Sequence, residues 1–538
     1  MQYRERGKIE SAGTGVANRT APVHKNNAGC RRPGRRPVPP ARLSTLQRCI
    51  AFGLLLAACS LPVMGQGALP VPVAQMLRAA NIPEDALGVF AMRLADGEVL
   101  LAHGAERSLQ PASTLKLLTA IVALDRLGPA FRARTELATA AAITRGRLDG
   151  DLILRGGGDP DFDWQALRRM LQQLRFQGVQ RIAGDVVLDR TLFEPARTDV
   201  GLPPFDETPE FRYNVVPDAL LLNTNLMQVD LASDARRLRT QMTPALDRVT
   251  IAAANMKLVD RRCEDWEDGW RLPDVLRLSG GRIRIVLHGE FPANCRTTTA
   301  INVLDRVVFA DRIVRALWRE LGGRFDGRVR DGSAPPGTRM LAEHKSRPLG
   351  EFVREVSKRS DNPVTRQLYL MLGTHNGSGT SPDAGSGAPA PTATSARAER
   401  VVREWLVSHG LGDDGLILEN GSGLSRRERI PASLLAGVLF AAARSDWAPE
   451  FIAALPIVGV DAGMARRLGD SPAARRGRFK TGSLRNVVSI AGYVPDVTGQ
   501  VCVLVAIINQ EPTGPEWAKS TRPVLDGLID WVARSGQR

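Results

Sequence analysis

The sequence predicts an α/β (α+β) protein in which an antiparallel sheet flanked by helices forms a main domain, interrupted by a β-rich insertion. Three observations carry this. Strand-like apolar runs occur near both ends of the globular stretch, at 87–94 and 98–103 and again at 487–494 and 501–509. Helical periodicity appears at 111–124 and returns after 305. Between about 137 and 300 the texture changes to short β-like runs separated by Gly and Asp. At 538 residues the chain exceeds one ordinary core, so two to three folded units are expected.

The elements follow in order. Ala95-Asp96-Gly97 separates the first two apolar runs, and Asp-Gly in that position signals a hairpin. Pro111 opens a helix carrying Leu115, Leu118, Ile121, Val122 and Leu124, proline being favoured where its missing N–H has no helical partner. Short runs at 152–154, 185–188, 249–252 and 283–287 read as strands of the insertion. Helical patterns resume at 307–321, 349–356 and 364–372. The Gly-, Ser-, Pro- and Thr-rich stretch 374–398 is expected to be an exposed flexible loop. Two strands joined by 495–499 and a helix at 520–534 close the chain. The expected division is a lead over 1–66, a main domain of 67–136 plus 300–538, an inserted β-rich domain of 137–220 plus 285–299, and a nested subdomain of 221–284.

The formal charge is +15, but residues 1–66 hold eleven Lys/Arg against two Asp/Glu, which leaves only +6 for the rest. That is no polyanion-binding stripe, and nucleic acid is not an expected partner. The stretch 1–41 is basic, without apolar periodicity, and is expected to be disordered. Arg42 and Arg48, the apolar run 50–61 and small residues to Gly67 have the layout of a signal peptide, with cleavage near Val63-Met64-Gly65 and export to the periplasm. An alternative is a lipobox at Leu56-Ala57-Ala58-Cys59, which would lipidate Cys59 and tether the protein to a membrane. In an oxidising compartment Cys263 and Cys295, in polar surroundings, are candidates for a disulfide. Cys502 lies in an apolar run and reads as a buried small hydrophobe. No Cys/His spacing resembles a zinc site, and neither a metal nor a cofactor is expected.

Three short motifs carry the chemistry. Ser113-Thr114-Leu115-Lys116 places a hydroxyl and an amine one turn apart on one face. A serine needs a base within hydrogen-bond reach, and a lysine serves only if burial or a second cation lowers its pKa. Ser360-Asp361-Asn362 offers a hydroxyl that relays a proton and an amide that holds the lysine or the substrate; it also fits a turn or helix cap before Pro363. Lys480-Thr481-Gly482, followed by Ser483, reads as a cleft-lining strand. There Lys480 and Thr481 bind a carboxylate, Gly482 admits a substrate backbone, and the amides of Ser483 and Ser113 form an oxyanion hole. Each motif alone is ordinary. In this order, they form the set of penicillin-binding proteins and class A β-lactamases.

From about 70 to 535 the chain resembles the low-molecular-mass class C penicillin-binding proteins, the D-Ala-D-Ala carboxypeptidase/endopeptidases. The long interval from Ser113 to Ser360, which in that family holds two inserted subdomains, carries the resemblance, with the segments 156–160, 421–426, 455–461, 480–484 and 491–494. It implies a β-lactamase/transpeptidase-like fold for the main domain and peptidoglycan stem peptides as substrate. Ser113 is then acylated by the penultimate D-Ala carbonyl, Lys116 takes its proton, and Ser360 and Asn362 support proton transfer to the leaving group. Lys480 and Thr481 hold the terminal carboxylate, and β-lactam antibiotics are covalent inhibitors. The resemblance also implies an acidic residue reaching the cleft from the insertion, for which Asp206 is the candidate, and Arg426 lining the same cleft. Arg485 departs from the neutral polar residue of relatives.

Two alternatives stand beside this. A serine β-lactamase shares the first and third motifs but needs a water-activating glutamate, which is not identifiable at a family-like position. A non-catalytic peptidoglycan-binding relative would keep the fold. A Ser-His-Asp hydrolase is a weaker reading still, since no Gly-x-Ser-x-Gly elbow occurs and none of the six histidines sits in a recognisable context, and a metallopeptidase lacks its His-Glu-x-x-His signature.

Overall fold

A strand buried on both faces loses the polar alternation of a surface strand, and that is the state of the two strands at the centre of the main sheet. Val487–Pro495 and Val501–Asn509 are buried along almost their whole length. In this computed structural model, which describes residues 68–201, 209–374, 393–512, 514 and 517–537, they lie in a five-stranded antiparallel sheet. The order is Arg478–Leu484, Val487–Pro495, Val501–Asn509, Leu87–Arg93 and Val99–His103. The expected hairpin at Asp96-Gly97 joins the last two, with Gly97 at φ +80°.

Alternate residues of these strands feed two cores. Val488, Ile490, Leu504, Ala506 and Ile508 pack on one side against the helix Trp517–Ala533, whose Leu525, Leu528 and Ile529 are buried. Ala491, Tyr493, Val503, Val505 and Ile507 face the other side. There they meet the helices Lys116–Leu127, Leu349–Arg359, Asn362–Leu372, Thr394–Ser408 and Ala432–Ala442. Residues 116–124 are all buried, so the helix that carries Lys116 runs through this core. Cys502 is buried, as its apolar setting predicts.

The insertion builds its own core. A mixed five-stranded sheet contains Val329–Asp331, Val186–Asp189, Leu152–Gly157, Arg134–Thr139 and Arg339–Lys345. Two three-stranded sheets come from 227–301. Cys263 and Cys295 are joined by a disulfide.

The strand pairing redraws the expected boundaries. The helix Arg306–Glu320 buries Phe309, Ile313 and Leu317 in the insertion's core, and Arg339–Lys345 pairs with Arg134–Thr139. The chain from 306 to 345 therefore packs with the insertion, not with the main sheet. Arg282–Pro292 is the central strand between Val249–Val259 and Trp270–Leu278, so the expected cut at 284/285 would separate a strand from both its partners. The expected loop is also shorter at its end: the helix Thr394–Ser408 begins inside it, while 375–392 lie outside the described residues. So do the lead with Cys59, and Asp206. Among the described residues, no helix is long and apolar enough to cross a membrane.

Candidate active site

The turn that carries Ser113 is set by backbone and hydroxyl contacts. Pro111 precedes a short 3-10 turn, Ala112–Leu115, and the α-helix begins at Lys116. In a 3-10 turn residues three apart eclipse each other, which stacks Ser113 and Lys116 on one side. Ala112 holds φ +48°, a left-handed conformation unusual for a residue with a Cβ. The Pro111 carbonyl accepts from Thr114 Oγ1 at 2.7 Å and from Ser489 Oγ at 2.6 Å, tying the turn to the main sheet.

Lys116 is about 1% exposed, and three acceptors surround its Nζ: Ser113 Oγ at 2.8 Å, Asn362 Oδ1 at 2.6 Å and the Ser422 carbonyl at 2.6 Å. Burial holds its pKa well below the ordinary lysine value, and the charge of Lys480 pushes the same way, against weaker pulls from Glu428 and Asp361. The geometry therefore supplies the two requirements of a lysine base, contact with the hydroxyl and a weakened hold on its own proton.

The second motif is placed by two helix ends. Ser360, at φ +59°, caps the C-terminus of Leu349–Arg359 in the left-handed region. Asp361 is the N-cap of the next helix, accepting from the Val364 N–H at 2.9 Å. The cap reading of this tripeptide holds, and the cap also turns Asn362 toward Lys116. Two residues of the insertion brace it. Arg212 donates to Asp361 Oδ2 at 2.7 Å, and the Tyr213 carbonyl accepts from Asn362 Nδ2 at 3.2 Å.

The third motif lies on Arg478–Leu484, at the edge of the main sheet. Lys480 is about 1% exposed and donates to Ser360 Oγ at 2.9 Å and to the Thr481 carbonyl at 2.7 Å. Burial lowers its pKa to about 7. Gly482 is required by close approach: a Cβ there would stand 2.8 Å from the Pro111 oxygen and 2.9 Å from the Ser113 nitrogen. Thr481 is half-buried and Ser483 exposed on the same strand.

Ser113, Ser360, Asn362 and Ser483 open into one cleft of about 710 Å³, which Tyr213, Arg426 and Arg485 also line. Arg426 reaches Asn486 Oδ1 at 3.4 Å. The structure thus joins residues 113, 116 and 362 in one hydrogen-bonded group and 360 with 480 in a second, and Ser113, Ser360, Asn362 and Arg426 line the same cleft. Sequence reasoning missed Arg212 and Tyr213, whose contacts come from about 150 residues away and leave no local pattern. It quoted the segment containing Ser422 without giving that carbonyl a contact. Among the described residues no group of His, Cys, Asp and Glu has the makings of a metal site.

The D-Ala-D-Ala carboxypeptidase 3 (S13) family matches residues 70–531. The chain is 26% identical to a D-alanyl-D-alanine carboxypeptidase DacB of Haemophilus influenzae, over 90% of this chain and 97% of that one. It is 28% identical to a D-alanyl-D-alanine carboxypeptidase of an Actinomadura species, over 80% of this chain and 78% of the other. In fold it resembles the crystal structure of penicillin binding protein 4 from Haemophilus influenzae, with a TM-score of 0.70, 24% identity, and coverage of 86% of this chain and 100% of that one. The chain belongs to the D-Ala-D-Ala carboxypeptidase 3 (S13) family of serine peptidases.

Proposed function

We propose that this protein hydrolyses the D-Ala-D-Ala bond of peptidoglycan stem peptides through an acyl-enzyme on Ser113. The observation that carries the reading is the buried amine of Lys116, 2.8 Å from the Ser113 hydroxyl oxygen. As a neutral amine, Lys116 accepts the hydroxyl proton while the oxygen attacks the penultimate D-Ala carbonyl. The N–H groups of Ser113 and Ser483 face the developing oxyanion. Lys480, positively charged, and Thr481 hold the terminal carboxylate. Ser360, hydrogen-bonded to Lys480, relays a proton to the leaving D-amino acid, and Asn362 fixes Lys116. Water then attacks the ester and releases Ser113.

The same steps open a β-lactam ring and leave a penicilloyl ester on Ser113. A relative of similar fold, penicillin binding protein 4 of Haemophilus influenzae, has been crystallised with a β-lactam. A cross-bridge whose D-Ala carbonyl is attacked in the same way is a second substrate, which makes the protein an endopeptidase as well. Arg426 and Asp206 belong to the same reading as contacts to the peptide. The N-terminal lead exports the chain to the periplasm, with Cys59 as the alternative lipid anchor. Incubation with a labelled pentapeptide and with a cross-linked dimer, beside Ser113→Ala, tests the whole scheme. Release of D-Ala by the wild type and none by the variant is expected. Rapid turnover of penicillin instead of a long-lived adduct would favour a β-lactamase.

A further inference from the structure

We infer that Glu428 is a positioning residue for the catalytic base: its carboxylate folds the segment 419–423 into the shape that presents the Ser422 carbonyl to Lys116. This rests on the reading of Lys116 as base.

Glu428 is 0% exposed. Its Oε1 accepts from the backbone N–H groups of Glu419 at 3.3 Å, Asn420 at 2.9 Å and Gly421 at 2.7 Å, and its Oε2 from that of Gly423 at 2.8 Å. Gly421 and Gly423 hold φ +70° and +76°, so left-handed residues alternate with others along the segment. That alternation points successive N–H groups inward and makes an anion-binding nest. Here the anion is a side chain of the same loop. The four groups that meet the carboxylate are all donors, so the ionised form fits them and the protonated acid does not. Burial pushes the pKa of Glu428 up, and the amides hold it down.

With the N–H groups turned in, the carbonyls turn out. The Ser422 carbonyl accepts from Lys116 Nζ, and the Gly421 carbonyl accepts from Thr119 Oγ1 at 2.6 Å, one turn further along the same helix. The loop is pinned at its base by paired backbone hydrogen bonds between Ile417 and Arg429. Gly423 itself sits against the backbone of Ala112, where a Cβ would collide with the Ala112 oxygen and stand 3.1 Å from the Ser113 nitrogen. One buried carboxylate therefore shapes the surface against which both the nucleophile turn and the base are set.

Glu428 acts on Lys116 through charge as well. The charged groups that act on Lys116 are Lys480 on the edge strand, Asp361 and Arg366 at and on the helix Asn362–Leu372, and Glu428 on this loop. Arg366 and Tyr369 of that helix feel Glu428 in turn. Among these, Glu428 raises the proton affinity of Lys116, so its removal makes Lys116 a weaker base that is neutral at lower pH.

The test compares Glu428→Gln, Glu428→Asp and Thr119→Val in the full-length protein, reading the second-order rate of labelling by a fluorescent penicillin against pH, with thermal unfolding alongside. Glutamine keeps the volume but sets an NH₂ against a backbone donor and removes the charge. Labelling is expected to slow about tenfold or more, with the acid limb of the profile displaced to lower pH. Aspartate is expected to keep the limb in place and recover part of the rate. Thr119→Val breaks only the second tether; it is expected to slow labelling about threefold and leave the limb unmoved. A Glu428→Gln protein that labels at the wild-type rate with an unmoved limb overturns the inference. If that variant does not fold, wild-type rates in both Glu428→Asp and Thr119→Val overturn it. If the wild type takes no label, the functional reading fails, and this inference with it.

Discussion

Replacing Lys480 by methionine should stabilise the folded protein at pH 6 while abolishing its activity. Lys480 is about 1% exposed, and burial lowers its pKa from 10.5 to about 7. The folded lysine thus holds its proton less firmly than the unfolded one. Its contribution to stability is complete above pH 10.5, shrinks as the pH falls, and is wholly lost once the pH has passed about 7. At about 1.4 kcal/mol per pH unit between those values, the charged form costs on the order of 5 kcal/mol below pH 7. Methionine fills nearly the same space without a charge. It forfeits the hydrogen bonds to Ser360 Oγ and the Thr481 carbonyl, each worth about 1 kcal/mol. The net gain is then on the order of 3 kcal/mol at pH 6, reversing to a loss of about 2 kcal/mol well above pH 10.5, where the lysine is neutral in both states. Urea unfolding at pH 6, 8 and 10 measures it. A stability difference that does not change with pH, or that favours the wild type more strongly at pH 6 than at pH 10, would refute the reasoning.

Further outcomes follow from the same geometry. Gly482→Ala forces a Cβ toward the Pro111 oxygen and the Ser113 nitrogen and should slow penicillin acylation about 100-fold, measured by stopped-flow, with a circular dichroism spectrum like that of the wild type. Acylation in the free enzyme should rise with pH as Lys116 loses its proton and fall again above about pH 7 as Lys480 loses its own; a rate that climbs steadily to pH 9 contradicts the assigned roles. Arg212→Ala removes a half-exposed partner of Asp361 and should change acylation less than about threefold and stability by under about 1 kcal/mol, as exposed ion pairs do. Removing the Cys263–Cys295 disulfide frees a 32-residue separation and should lower the unfolding free energy of the insertion by about 3 kcal/mol while leaving penicillin labelling intact.

The site was legible in the sequence where chemistry requires adjacent residues. Ser113 and Lys116 must lie one turn apart, and Lys480 must share a strand with Gly482, so each pair is written as a short motif. Arg212, Tyr213 and Glu428 act through contacts made by folding. Glu428 is recognisable only once four backbone amides are seen to converge on it. The same distinction governs the fold. Val487–Pro495 and Val501–Asn509 announce themselves as apolar runs. Ala432–Ala442 escaped notice because it is buried nearly all round and has no polar stripe to mark its period. The insertion's limits were misplaced because the pairing of Arg134–Thr139 with Arg339–Lys345 spans about 200 residues, and no local signal encodes a partner that far away.

Mass analysis of proteolytic fragments after incubation with benzylpenicillin tests the central claim most directly. A penicilloyl group on the fragment containing Ser113, absent from Ser113→Ala and formed far more slowly in Lys116→Ala, is the predicted result. An adduct on another residue, or one that forms equally fast without Lys116, would contradict the account.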